Sequence, residues 1–418
     1  MRQAERTAAD RNHSAARTLL PLAVVLGLLI CGELLCRAFV APTRLDLILN
    51  LLERDPVLMW RLRADLNTHF EQARVRTNEH HLRGPSFAAA KPAGKFRVVC
   101  LGASPTFGWG VQENEAYPAV VAAGLAGRSI AAEVINGGVP GYTSWQGLHF
   151  LQRDVLAWSP DVVTVAYDLN DIDIFRFFRN DGRPDSAEQP DSPTRVAVQN
   201  ALNRSASYRF FRNTLMSMAS ARGAFDPRRM PRRVSAAEYR QNLLDIERVC
   251  RAHAIRVIFV KMPIHLPFYR LERRNPIGAQ EARGLGDEAG KRGDWRSAAA
   301  HYEKSYELDP TVVVTYRALA EALSHSGQPD RAQDILSLIP FAAAFSDRVD
   351  QQYNAIVENV ARITNRPCVD VVPAFARDGR GDALWNSKED PFHPNAAGHA
   401  IIGDLVAGAL APQPDAGR

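Results

Sequence analysis

The chain has 418 residues, 46% of them hydrophobic, with 51 Lys and Arg against 46 Asp and Glu for a formal net charge of +5. That length and apolar content support one large or two modest domains with a sizeable core and exclude a disordered or low-complexity chain. The basic excess is too small and too scattered to mark a nucleic-acid surface. Five cysteines, at 31, 36, 100, 250 and 368, show neither metal-ligand spacing nor the even count of a disulfide framework. They are expected as small core residues, and neither a metal nor an organic cofactor is called for.

Residues 1–17 are polar and carry four arginines, whereas 18–32 are uncharged and apolar and lead into Glu33 and Arg37, one helical turn apart. If that pair meets an interface, the apolar run reaches the about 20 residues a membrane span needs. The small-x-small cleavage pattern is poor, so the segment 18–40 is expected to be an uncleaved, single-pass signal anchor; a cleaved signal peptide and a buried core helix are the alternatives. The arginine-rich start then stays in the cytoplasm. The body is expected on the periplasmic or extracytoplasmic side of the inner membrane. Residues 45–87 are amphipathic with arginines and aromatics interleaved, and 41–93 are expected as a juxtamembrane segment.

Short β-branched runs predict strands over 96–102, 133–137, 162–167, 256–262 and 368–372. Helical patterns separate them over 116–125, 144–158, 236–253, 348–363 and 396–410. This alternation predicts an α/β three-layer sandwich with a central parallel sheet, its site at the carboxyl ends of the strands.

Chemistry-bearing residues fall at those ends. Ser104 sits on the turn after the first strand, in Leu101-Gly102-Ala103-Ser104-Pro105, and Asp390 stands three residues before His393. A serine hydroxyl needs an imidazole to take its proton and a carboxylate to fix that imidazole's tautomer. It also needs donors aimed at the oxyanion. The glycine turn through Gly138 and Gly141 offers a backbone N–H, and Asn170, after the third strand, offers a side-chain amide. Taken alone, each segment also reads as a tight corner, a helix cap or a plain turn.

Together and in order, these four segments resemble the SGNH (GDSL-type) hydrolase family. The resemblance implies Ser104 as nucleophile, His393 with Asp390 as base and orienting acid, and Ser104 N–H, Gly141 and Asn170 as the oxyanion hole. It covers roughly 94–275 and 341–411. Two positions depart from the pattern: Ala103 stands where the family usually has Asp, and Asp168 where it usually has Gly, and both alter loops that position the site. The domain is expected in two parts, 94–278 and 341–411, followed by a disordered tail over 412–418. Membrane-anchored bacterial relatives look similar in the segment before the first strand.

Three features fall outside the four segments. Residues 180–195, rich in Asp, Pro and Ser, read as a mobile loop bordering the cleft, and the arginine-rich 228–233 as a solvated loop. His265, just past the fourth strand, reads as a loop residue within reach of substrate. Gly293, Asp294, Trp295 and Ala298 recur 34 residues later as Gly327, Gln328, Pro329 and Ala332. With Leu285 and Tyr302 answered by Leu319 and Leu336, residues 279–340 resemble a pair of tetratricopeptide repeats, an all-α insert that implies a possible protein partner.

The resemblance implies a serine esterase or lipase acting on acyl or acetyl esters, with a lipid or acylated glycan as substrate. Two readings stay beside it: an acyltransferase with the same triad, and a catalytically silent scaffold that recruits partners through its repeats. A flavodoxin-like nucleotide binder is permitted by the strand order, but the first strand lacks a phosphate-cradling glycine loop.

Overall fold

The computed structural model describes residues 21, 24–172, 183–220, 232–263, 275–339, 349–387, 390 and 392–411. Contacts divide the chain into two units, 1–56 with 191–225, and 57–190 with 226–418.

The smaller unit holds a helix over 24–39 (α1), α2 (Arg44–Leu51) and β1 (Leu52–Asp55). The larger unit opens with three short strands, β2 (Met59–Leu62), β3 (Asn67–Phe70) and β4 (Ala73–Arg76). β5 (Phe96–Gly102), α3 (Ser104–Phe107), α4 (Tyr117–Gly127), β6 (Ala132–Gly138), α5 (Ser144–Arg153), β7 (Val162–Ala166) and α6 (Leu169–Ile172) follow. α7 (Pro193–Leu202) and α8 (Ala206–Ser220) return to the smaller unit. The larger unit resumes with α9 (Ala236–Ala252) and β8 (Arg256–Lys261), then α10 (Pro276–Lys291), α11 (Trp295–Leu308), α12 (Val313–His325) and α13 (Pro329–Ser337). It closes with α14 (Val349–Ile363), β9 (Cys368–Asp370), α15 (Val372–Asp378) and α16 (Ala396–Leu410).

β5 to β9 form one parallel sheet in the order β6-β5-β7-β8-β9, with Leu101 of β5 opposite both Gly137 and Val165. β5 and β7 are apolar apart from Arg97 and Thr164 and are buried along almost their whole length because both faces are covered. Val98, Cys100, Ile258 and Val260 pack beneath Tyr117, Val121 and Leu125 of α4 and Ile402 and Val406 of α16. The opposite face is covered by α5, α9 and α14. Burying each such Val, Leu or Ile contributes about 1.5–3 kcal/mol. This is the three-layer α/β sandwich expected from the alternation. Two glycines let α3 lie against the sheet: a Cβ at Gly102 would fall 1.9 Å from Thr106 Oγ1, and one at Gly138 2.2 Å from the Phe107 nitrogen.

α10 to α13 pack in sequence as hairpins turned at Gly293 and Gly327, whose φ of +73° and +81° favours glycine. Ala298 and Ala332 are buried at the crossings.

Several expectations need correction. Among the described residues no helix is long and apolar enough to cross a membrane. Of the expected anchor over 18–40, residues 18–20, 22 and 23 lie outside the described set. The cytoplasmic tail 1–17, the disordered tail 412–418 and His265 also lie outside the described residues. Residues 41–93 are divided between the units: α2 and β1 belong to the smaller, and β3 pairs antiparallel with β4 in the larger. Cys31 is exposed rather than core, while Cys100 and Cys250 are buried as expected.

The reading of 180–195 as a mobile loop also changes. Residues 180–182 are outside the described set, but Asp185 is fully buried against Arg233, itself expected in a solvated loop. A carboxylate and a guanidinium satisfy each other, which lets both enter the core.

Candidate active site

Ser104 is the first residue of α3, immediately after β5, so the end of the central strand presents its hydroxyl at the carboxyl edge of the sheet. Pro105 suits the start of a helix, and Gly108, at φ +85°, ends it after a single turn. The Ser104 carbonyl accepts from the nitrogens of Gly108 and Trp109, both at 3.1 Å.

His393 comes from the far end of the chain. Its loop is tied by the Asn386 nitrogen, which donates to the His393 carbonyl at 3.0 Å, and by Asn395, whose side chain caps α16. His393 Nε2 lies 2.8 Å from Ser104 Oγ, and His393 Nδ1 lies 2.8 Å from Asp390 Oδ2. An ionised carboxylate only accepts, so the proton sits on Nδ1 and leaves Nε2 free to accept from the serine hydroxyl. Asp390 Oδ1 accepts from the backbone nitrogens of Phe392 and His393, each at 3.0 Å. Burial works to raise the Asp390 pKa, but His393 and these N–H groups outweigh it and hold the carboxyl below its ordinary value. Trp109 stacks on the imidazole, with centroids 5.0 Å apart and planes 13° from parallel.

Gly141 turns the chain after β6 at φ +79°. Asn170, in α6 after β7, donates through Nδ2 to the Tyr142 carbonyl at 3.1 Å, which links the two loops carrying the expected oxyanion donors. Residues 100–282 match the GDSL-like lipase/acylhydrolase family, a span that holds Ser104, Gly141 and Asn170. They form a GDSL-like lipase/acylhydrolase domain. The chain is therefore an ester-bond hydrolase. Asp390 and His393 lie beyond that span, after residues 291–352, which match the tetratricopeptide repeat; folding brings them to Ser104.

Solved structures similar to this chain include a lipase/acylhydrolase from Enterococcus faecalis, 15% identical over 75% of this chain and 95% of that one at a TM-score of 0.37. Another is a catalytic mutant of Axe2, an acetylxylan esterase from Geobacillus stearothermophilus, 15% identical over 76% of this chain and 95% of that one at a TM-score of 0.38. No curated protein matches the chain.

The GDSL-like domain carries both departures from the family pattern at buried positions. Ala103 is the helix-capping residue of α3 and makes no side-chain cap bond. Asp168 accepts through Oδ1 from the Leu169 nitrogen, so its carboxylate is turned onto the start of α6.

Residues the sequence did not single out brace both loops. Arg233 donates through Nη1 to the Gly141 carbonyl at 2.6 Å and through Nη2 to Gln146 and Asp185, both at 2.8 Å. Thr143 Oγ1 donates to Asp185 at 2.9 Å, and Trp60 Nε1 donates to the Pro140 carbonyl at 3.0 Å. Arg83 plays the same part beside Ser104, donating to the carbonyls of Phe107, Gly108 and Val111 at 3.1, 2.5 and 2.7 Å. Burial pushes the Arg83 guanidinium down to about 10, still charged at neutral pH.

Asp171, next to Asn170, accepts from the Ser144 nitrogen at 2.9 Å and the Ser144 hydroxyl at 2.5 Å, which joins α6 to the start of α5. Its complete burial pushes the carboxyl up to about 8, against the pull of these bonds and of Arg233. Arg233 stands inside an arginine run that charge pattern assigns to a surface, and nothing local pairs it with Asp185. Asp171 is visible in the sequence only as the neighbour of Asn170.

Proposed function

We propose that the protein is a serine esterase in which Ser104 forms an acyl-enzyme. The observation that carries this reading is the unbroken chain Ser104–His393–Asp390, with 2.8 Å at each link. Ser104 Oγ attacks the ester carbonyl carbon while His393 Nε2 takes its proton. The carbonyl oxygen becomes an oxyanion that receives the N–H groups of Ser104 and Gly141 and the Asn170 amide. The C–O bond to the alcohol then breaks, and His393 returns the proton to the leaving oxygen. A water, deprotonated by His393, attacks the acyl carbon and releases the acid and free Ser104.

Asp390 holds the Nδ1–H tautomer and stabilises the imidazolium, over whose face Trp109 lies. The tie from Asn170 to Tyr142 fixes the amide before substrate arrives, so little reorganisation is needed in the transition state, where one such donor contributes about 3–4 kcal/mol. We propose acyl or acetyl esters of lipid or of envelope or exported polysaccharide as the substrate class, and the helices over 276–337 as the element that meets a protein partner.

The test is hydrolysis of p-nitrophenyl acetate and labelling by a fluorophosphonate, compared with Ser104→Ala. Both activities vanishing in the variant supports the acyl-enzyme. Labelling without turnover points to transfer onto an acceptor other than water, and silence in both assays to the scaffold reading.

A further inference from the structure

In the smaller unit α2 buries Ile48, Leu49 and Leu51, but α8 is inverted. α8 places Arg209, Arg212 and Asn213 on one face, and these side chains point into the unit: Arg209 donates to Asn50 at 2.8 Å, Arg212 to Asp46 at 3.0 Å and Asn213 to Asp46 at 2.9 Å. Asp46 is only 5% exposed. At 100° per residue the opposite face carries Phe211, Leu215 and Met218, which are 63%, 66% and 54% exposed. An amphipathic helix of a water-soluble domain turns the other way.

α1 carries exposed apolar side chains all round, Leu26 and Leu29 on the face of Glu33 included. Its carboxylate, Glu33, turns inward and caps α8, accepting from the nitrogens of Ala206 and Ser207 at 2.9 and 3.0 Å and from the Ser205 hydroxyl at 2.7 Å. Leu28, Leu29 and Phe39 face outward, Phe39 at 82% exposure. The two helices are thus clasped by their polar groups and present apolar side chains to the surroundings. Hydrocarbon favours that arrangement, since polar groups must be satisfied internally and apolar ones gain from contact.

Charge points to the same occupant. Between Ser192 and Ser220 there are four arginines, at 195, 204, 209 and 212, and no acidic residue, while Asp191 just before this stretch pairs with Arg195 at 3.4 Å. Arg204, just after α7 and two residues before α8, is exposed, and Arg195 on α7 is exposed although paired with Asp191. An apolar face accompanied by arginine suits an anionic lipid surface, where headgroups meet the cations and acyl chains take the aromatics. With Arg209, Arg212 and Asn213 on one face and Phe211, Leu215 and Met218 on the other, α8 suits a helix lying in the interfacial plane.

We propose that α1 and α8 together form a docking surface for an anionic lipid bilayer, with Phe211 and Leu215 inserted at the headgroup boundary. This does not rest on the catalytic reading.

The test is flotation of the full chain with vesicles of phosphatidylcholine alone and of phosphatidylcholine with phosphatidylglycerol, with p-nitrophenyl acetate turnover measured on the same samples. The unaltered chain is expected to float with both and to bind the anionic vesicles several-fold more tightly at low salt. Phe211→Asp combined with Leu215→Asp is expected to lower partition onto both vesicles at least tenfold with turnover unchanged. Arg195→Gln with Arg204→Gln should remove only the preference for phosphatidylglycerol. Undiminished flotation of the Phe211/Leu215 variant overturns the proposal. So does a lipid-free oligomer that this variant dissolves while vesicles capture neither protein, since the face would then belong to a second copy of the chain.

Discussion

Arg233 and Arg212 are both arginines held by a buried aspartate, Asp185 and Asp46, yet the two pairs are put to opposite uses. In the sheet unit, Arg233 sits within a conventional core and its remaining donors go to Gly141 and Gln146, so the ion pair shapes the Gly141 loop. In the helical unit, Arg212 reaches inward from α8 to Asp46 and Asn203, and the apolar residues of the same helix are left outside. The comparison teaches that a buried ion pair by itself says nothing about the medium around a domain. What distinguishes the two is where the neighbouring Phe and Leu side chains go.

The largest expected effect lies in the sheet unit. Ser104→Ala should lower p-nitrophenyl acetate turnover by about 10⁴-fold or more, and residual activity near wild type would place the chemistry elsewhere. The two arginines give the direct contrast. Arg233→Met leaves Asp185 buried without its partner and should cost about 3–5 kcal/mol in urea unfolding. Arg212→Met should cost about 1.5–3 kcal/mol, because its guanidinium keeps 18% exposure to water; equal losses would erase the distinction between the two pairs.

Asn170→Ala should reduce kcat by about 10²–10³-fold with little change in the unfolding midpoint. A loss confined to stability would make the amide a mere tie to Tyr142.

A pH series sharpens the description of the sheet unit. His399 on α16 is fully buried, accepts from the Tyr117 nitrogen at 3.2 Å, and is pushed down to about 3 by desolvation, with the nearby His393 and Arg83 adding to the shift. The unfolded chain therefore binds a proton below about 6.5 that the folded chain refuses until about 3. Stability should fall as pH drops through that window, by about 1.4 kcal/mol per unit at most, and stay level above it on this account. His399→Gln should flatten the slope in urea titrations, and an unchanged slope would assign it to another group. The smallest effect is expected at Phe211, where Phe211→Ser should move lipid-free stability by less than about 0.5 kcal/mol; a larger loss would mean that its ring is packed in the absence of lipid.

Much of the catalytic unit is legible in the chain itself. Strands buried on both faces are written as continuous runs such as Val162 to Ala166, and the period of 34 between Gly293 and Gly327 marks the repeat hairpins. Asp390 and His393 are close in sequence, so their pairing is readable as a local motif. The braces are not legible. Arg83 and Arg233 act on carbonyls 24 and 92 positions away, and polar residues that end up buried look the same in sequence as polar residues on a surface.

The apolar N-terminal run suggests a spanning anchor because hydropathy counts composition and not direction. That Glu33 turns in to hold α8, and that Phe211 turns out, depends on which faces meet once the helices pack. The sequence by itself determined the order of strands and helices, the identity of the serine, histidine and aspartate, and the repeat. Only the tertiary structure decided that residues 289 positions apart meet at hydrogen-bond distance and which loops are braced by buried arginines. It alone also decided which way the amphipathic helices face. The physical reason is that local pattern sets backbone geometry, whereas burial, charge pairing and side-chain direction are fixed by neighbours distant in the chain.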